Sequence, residues 1–342
     1  MSITGKILVI KPSSLGDVVH LFPALEVLRR AFPDKELDFV IHPAFAGLLD
    51  FSPFPVRKKI LFDRKKLGSL RSFPVETFKL LRELRREEYE LVIDFQGLLR
   101  SALMAASVKS CIIAGFEKPK EKIAALFYSK KIPVNMEQHA VSRYVELVNK
   151  LCSTSFEVPE VKIPAGTPGI PGLPERFLVM VPGARWESKK FPPELFGKIF
   201  LEIKKSVPDC GAVIVGAACD NELAGKIREL VPEALDLTGK TSLAQLIPLM
   251  DQAEAVLTND SGPMHIAALT GTRIFALFGP TRPYLTGPWG EKNEIITCSG
   301  LPCLECMKRV CPASSECHRI DPVLTGEKIA QYIQQKSSGV QL

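Results

Sequence analysis

Short apolar runs alternate with helix-period segments along almost the whole sequence, and that rhythm restricts the chain to parallel sheets covered by helices. In residues 6–160 the strand-like runs are Ile7–Ile10, Leu37–Ile41, Tyr89–Asp94 and Cys111–Gly115, with helical spacing near 16–31, 75–88 and 98–108. Ile163–Pro174 then packs four Pro and three Gly into twelve residues, so it can form neither a helix nor a central strand and reads as a linker. Beyond it a second series begins, with strands Phe177–Val181, Ala212–Val215, Ala255–Thr258 and Ile274–Phe278 and helices near 193–206, 220–230, 242–251 and 263–270. The expected architecture is two Rossmann-like α/β domains, 1–162 and 176–321, joined by a linker at 163–175 and facing each other across a cleft. A final helix in 322–342 is expected to pack back on the first domain.

Composition narrows the function classes. Of 342 residues, 46% are hydrophobic and 24% charged, which suits a soluble globular enzyme. No apolar run approaches the roughly 20 residues needed to span a bilayer, and the N-terminus has no signal-like apolar region, so a cytoplasmic location is expected. No Gly-x-Gly-x-x-Gly follows the first strand and no Gly-x-x-x-x-Gly-Lys-Ser/Thr occurs, which argues against dinucleotide dehydrogenases and P-loop NTPases. The net charge of +6 lies wholly in residues 1–160, with 25 basic against 19 acidic side chains, whereas 161–342 has 19 of each. Solvated faces explain any single basic cluster. A surplus confined to one domain points further, to an anionic partner such as phosphorylated lipid, anionic sugar or nucleic acid.

Three stretches carry candidate chemistry. Lys11-Pro-Ser-Ser-Leu-Gly-Asp17 follows the first strand and opens a helix, placing backbone N–H groups and Asp17 at a strand's carboxyl end, where open α/β sheets bind ligands. Thr258-Asn-Asp-Ser-Gly-Pro-Met-His265 repeats that arrangement in the second half, where Asp260 and Ser261 either serve an anion site or simply cap a helix. Val181–Pro192 brings Lys189 and Lys190 into a loop beside the same rim, as phosphate ligands or as solvated lysines.

Together these residues resemble a family, the bacterial lipopolysaccharide heptosyltransferases, and most closely their heptosyltransferase I branch. The resemblance rests on Lys11–Asp17, Asp94-Phe-Gln-Gly-Leu98, Gln138-His-Ala-Val141, Lys189-Lys-Phe-Pro192, Asp260–His265 and Phe278-Gly-Pro-Thr281, in order over roughly residues 6–325. It implies a GT-B glycosyltransferase that moves L-glycero-D-manno-heptose from ADP-heptose to a Kdo sugar of lipid A, with inversion and without a required cofactor. Asp17 would be the general base, and Ser13, Ser14, Gly16 and Gln96 would lie on the acceptor side. Lys189, Asp260, Ser261, Gly262, His265 and Thr241 would hold the donor, with Glu222 or Asn221 on the ribose. The basic residues Arg64, Lys65 and Lys66 would recruit the acceptor and the anionic inner face of the cytoplasmic membrane. The implied enzyme is a monomer that does not bind nucleic acid. A heptosyltransferase II-like enzyme with a later core acceptor is the near rival, and a non-catalytic module for anionic lipid or nucleic acid is the distant one.

Cys298, Cys303, Cys306, Cys311 and Cys317 crowd into twenty residues beside His318, spaced C-x4-C-x2-C-x4-C-x5-C. A structural metal, reduced thiols and an adventitious disulfide all remain open, because five cysteines exceed a four-ligand site and only one pair has C-x2-C spacing.

Overall fold

The computed structural model describes residues 5–63, 73–163, 166–312 and 315–338, in two compact units, Met1–Val161 and Lys162–Leu342. The first holds six parallel strands: β1 Lys6–Ile10, β2 Leu37–Ile41, β3 Val56–Leu61, β4 Glu88–Asp94, β5 Lys109–Phe116 and β6 Lys130–Ile132. They are ordered β3-β2-β1-β4-β5-β6, so the winding reverses between β1 and β4. Helices α1 Leu15–Val19, α2 Phe22–Ala31, α3 Phe73–Leu84, α4 Leu99–Ser107 and α5 Ala140–Cys152 connect or cover them. The single helix expected near 16–31 is two helices. Pro23, in the first turn of α2, has no N–H to donate, so the hydrogen-bond ladder restarts after His20 and Leu21.

The second unit repeats the plan with β7 Phe177–Val181, β8 Gly211–Ile214, β9 Leu235–Asp236, β10 Ala255–Asn259, β11 Ile274–Phe278 and β12 Glu294–Thr297. Its order is β12-β11-β10-β7-β8-β9, again all parallel, with the reversal between β7 and β10. The helices are α6 Pro193–Ser206, α7 Asn221–Leu230, α8 Leu243–Gln252, α9 Gly262–Thr270, the short α10 Pro283–Thr286 and α11 Pro322–Ser337. The start of the expected linker is anchored on this unit: Ile163 is buried and its N–H donates to Leu269 O at 3.0 Å.

Four strands escape the sequence reading, β3, β6, β9 and β12, and they are the four sheet edges. An edge strand is paired on one side only and tolerates charge, so it lacks the apolar run that marks a central strand. The basic run Arg57-Lys58-Lys59 lies on edge strand β3, where each cation has an acidic partner in its own unit. Arg57 Nε donates to the buried Asp38 at 2.9 Å, Lys58 pairs with Glu83 at 2.7 Å, and Lys59 pairs with Asp50. Much of that cluster therefore neutralises its own fold. Arg64, Lys65 and Lys66 lie outside the described residues.

The final helix corrects another expectation. α11 packs on α6, and its Ile329, Ala330 and Ile333 are buried in the core of the second unit with Ile199, Phe200 and Ile203. Gly326 permits the close approach, since a Cβ there would meet Ile199 O at 2.9 Å. Removing one of these anchors leaves a cavity in a close-packed core. Ile329→Ala should lower stability by about 2–5 kcal/mol in urea unfolding, whereas a change at the exposed Leu324 should stay within about 0.5 kcal/mol.

Candidate active site

In the first unit the polar residues gather at the carboxyl ends of β1 and β4, the two strands that flank the reversal. Asp17 sits in the first turn of α1, and its Oδ2 accepts from both the N–H and the Oγ–H of Ser14, each at 2.8 Å. These bonds fix the carboxylate while 37% of the side chain stays exposed. Beneath it lies Lys11, which is buried, with Nζ 3.9 Å from Asp17 Oδ1, donating to Phe95 O at 3.2 Å and over the Tyr144 ring at 5.2 Å. Burial alone would depress this ammonium, but the facing Asp17, Tyr144 and Asp94 hold its pKa above the ordinary lysine value, so it remains a cation. Sequence reasoning passed over Lys11 as a site residue. Its only signal was a basic side chain closing an apolar strand.

The neighbouring turn is built on Asp94. Its carboxylate is wholly buried and accepts from the N–H groups of Gln96 and Gly97, from Ser101 Oγ and from Tyr128 Oη at 2.8, 3.2, 2.8 and 2.7 Å. Burial nonetheless leaves its pKa raised. Asp94 thus shapes the turn, and Gln96 is the residue facing the site: its Oε1 accepts from Ser13 N–H at 3.3 Å. Gly16 is buried in α1 and adjoins Asp17. His139, of the Gln138–Val141 segment, caps α5 by accepting from Val141 N–H and packs edge-on against His20 at 5.0 Å.

In the second unit the corresponding rim lies at the ends of β7 and β10. Lys189 Nζ is 2.7 Å from Asp260 Oδ2, which also accepts from Thr281 Oγ1 at 2.6 Å. Lys189 stands over the Trp186 ring at 4.7 Å, and Arg309 lies against the same ring at 5.5 Å. The structure therefore makes the buried Asp260 the anchor of Lys189. An ammonium has three donors, and this pairing leaves capacity for an anion. Ser261 and Gly262 open α9, but the Ser261 side chain makes no capping bond; its Oγ lies 3.4 Å from Thr258 Oγ1. His265 is buried one turn into the same helix.

Other predicted donor residues are placed differently. Glu222, in the first turn of α7, has an 81% exposed side chain and pairs with Lys226 at 3.1 Å. Asn221 accepts from Thr238 Oγ1 at 2.6 Å, and Thr241 is half-buried in the loop after edge strand β9. A carboxylate near the rim that was not singled out is Asp220. It accepts from Ala217 N–H at 2.8 Å and fills the space beside Gly183, where a Cβ would come within 2.3 Å of it.

The cysteine-rich segment supports the Lys189 loop. Ser188 N–H and Oγ donate to Arg309 O and Lys308 O at 3.2 and 2.6 Å, and His318 Nε2 donates to Ser188 O at 2.8 Å. Cys298, Cys303, Cys306, Cys311 and Cys317 are free thiols, and burial with Cys311, Cys303 and Cys306 nearby pushes up the Cys317 thiol. Among the described residues no group of three or more His, Cys, Asp or Glu is placed to hold a metal ion.

Comparison with known proteins decides the family. Residues 77–316 match glycosyltransferase family 9 (heptosyltransferase). The chain belongs to this family. This glycosyltransferase is 31% identical over 329 residues to lipopolysaccharide heptosyltransferase 1 of Pseudomonas aeruginosa, covering 90% of this chain and 87% of that one. It is 27% identical to lipooligosaccharide heptosyltransferase 2 of Campylobacter jejuni serotype O:2, covering 95% and 96%. The structure of E. coli heptosyltransferase WaaC with ADP-2-deoxy-2-fluoro heptose superposes with a TM-score of 0.74 at 24% identity, covering 97% and 99%. That match gives the glycosyltransferase the GT-B fold class expected from its two α/β series.

His318 yields a pH prediction. Its ring stacks on Phe191 at 4.3 Å, and burial, opposed by the bond to Ser188 O, lowers its pKa from 6.5. A depressed histidine stabilises the fold while neutral, so this contribution is present above 6.5 and is lost as pH falls toward the folded value. The melting temperature should drop between about pH 7.5 and about pH 5.5, and less steeply in His318→Phe, which keeps the stacked ring.

Proposed function

We propose that this glycosyltransferase transfers L-glycero-D-manno-heptose from ADP-heptose to a Kdo residue of lipid A, as heptosyltransferase I does in lipopolysaccharide inner-core synthesis. The observation that carries the reading is the half-open Asp17, oriented by Ser14 and backed by a buried lysine. A carboxylate has acceptor capacity beyond those two bonds and can take the proton of an attacking acceptor hydroxyl. Attack on the anomeric carbon from the face opposite the leaving diphosphate inverts that centre and needs no covalent intermediate.

On the donor side the growing diphosphate charge calls for cations and aligned N–H groups. Lys189, steadied by Asp260 and Trp186, and the first-turn amides of α9 supply both, so this reading needs no divalent ion. Asp260 acts by holding Lys189 and Thr281, since its own charge would repel a diphosphate. The relative crystallised with an ADP-sugar analogue supports an adenine nucleotide donor. The Gln138–Val141 segment and the Pseudomonas relative favour the Kdo acceptor, while the Campylobacter relative supports a heptosyltransferase II-like reaction as the alternative. The enzyme would work at the inner face of the cytoplasmic membrane, and no helix among the described residues is long and apolar enough to cross one.

Asp17→Ala should lower turnover by about 10²–10⁴ with ADP-heptose binding retained, and full activity in the variant would remove Asp17 as the base. Lys189→Ala should weaken ADP-heptose binding by about tenfold or more in calorimetric titration. Parallel turnover on Kdo-lipid A and on an acceptor that already carries heptose separates the two acceptor readings.

A further inference from the structure

Beside the Asp17 rim, the first unit exposes large apolar side chains within a basic segment. After β5, a 3₁₀ helix at Lys122–Phe127 leaves Ile123 50% and Leu126 75% exposed, and Leu103 on α4 is 50% exposed. Isolated exposed side chains of this kind are ordinary. These three instead flank one junction, where α4 meets the 3₁₀ helix through the buried Ala102 and Ala124 over Tyr128. Lys118, Lys120 and Lys122 are exposed, and residues 117–131 hold five Lys against two Glu. Of those acids, Glu121 is engaged with the start of α4, its Oε2 accepting from Leu99 N–H at 2.7 Å.

The segment is continuous with the site. Glu121 N–H donates to Gly97 O at 3.0 Å, and Gly97 holds a φ of +66° and lies so close to the segment that a Cβ would come within 3.3 Å of Lys120 N. Gln96, next in the chain, accepts from Ser13 N–H, and Ser13 adjoins the Ser14 that orients Asp17.

We infer that Lys118–Phe127 together with Leu103 is a docking surface for an anionic bilayer. Ile123, Leu126 and Leu103 enter the boundary between headgroups and acyl chains, while the lysines meet lipid phosphates. Neither contribution alone gives firm attachment; a short apolar patch and a basic patch act together, as two weak membrane signals do. The inference rests on the proposed function in one respect: a glycolipid acceptor resides in such a bilayer, and docking here brings its sugar head to Asp17. It does not depend on Arg64, Lys65 or Lys66.

Co-sedimentation tests it with the full chain, on phosphatidylcholine vesicles with and without phosphatidylglycerol. The wild type should bind the anionic vesicles and leave the neutral ones. Ile123→Ser/Leu126→Ser should lower partitioning by at least about tenfold. Lys118→Gln/Lys120→Gln/Lys122→Gln should lower it at low salt, with the difference from wild type shrinking as salt screens the lysines. Equal partitioning of the serine pair and the wild type overturns the surface. Turnover on an acceptor stripped of its acyl chains separates this inference from the proposed function. Unchanged turnover in the serine pair supports a docking role, and a loss there shows a structural role and overturns it. A wild type that binds anionic vesicles through this surface, yet turns over neither acceptor, sinks the proposed function and leaves the docking surface standing.

Discussion

Each sheet reverses its winding beside its first strand, and the placement of the candidate residues depends on that constraint. At β1/β4 and again at β7/β10 the loops leaving adjacent parallel strands diverge, because right-handed crossovers carry the following helices to opposite faces. The divergence opens a crevice at the carboxyl ends without any special sequence. Into the first crevice the chain places Lys11, Asp17 and Gln96, and into the second Lys189, Asp260 and Thr281.

Both candidate sites set the position of an exposed or half-buried charge with a buried partner of opposite sign. Lys11 is buried and would be costly to keep as a cation, but Asp17, Tyr144 and Asp94 more than offset the desolvation. Asp260 plays the converse part under Lys189. Such pairs add little to stability because desolvation opposes the attraction, so their role here is orientation. Asp94 belongs to the same logic: four residues from three segments donate to one buried carboxylate, and the β4 turn that carries Gln96 is the outcome.

What was legible in the sequence follows from burial. Central strands such as Ile7–Ile10 and Phe177–Val181 are covered on both faces and must be apolar throughout, so composition reveals them. Edge strands are not, and the ion pairing of Arg57-Lys58-Lys59 was hidden because its partners Asp38, Glu83 and Asp50 lie elsewhere in the sequence. The pairing of Glu222 with Lys226 was open to reading, since the two stand one helical turn apart on α7. The break between α1 and α2 is encoded by Pro23, although the apolar periodicity runs through it without interruption.

The sequence by itself determined the two α/β series, the strand-end position of Asp17, Lys189 and Asp260, and the family, because local turn chemistry and the order of motifs are properties of the chain. Only the tertiary structure decided that Lys11 lies under Asp17, that Asp260 anchors Lys189, that the cysteine-rich segment props up the Lys189 loop, and that the last helix completes the second core. Those are contacts between residues far apart in sequence. Their energies depend on distance and burial, which packing sets and no local pattern encodes.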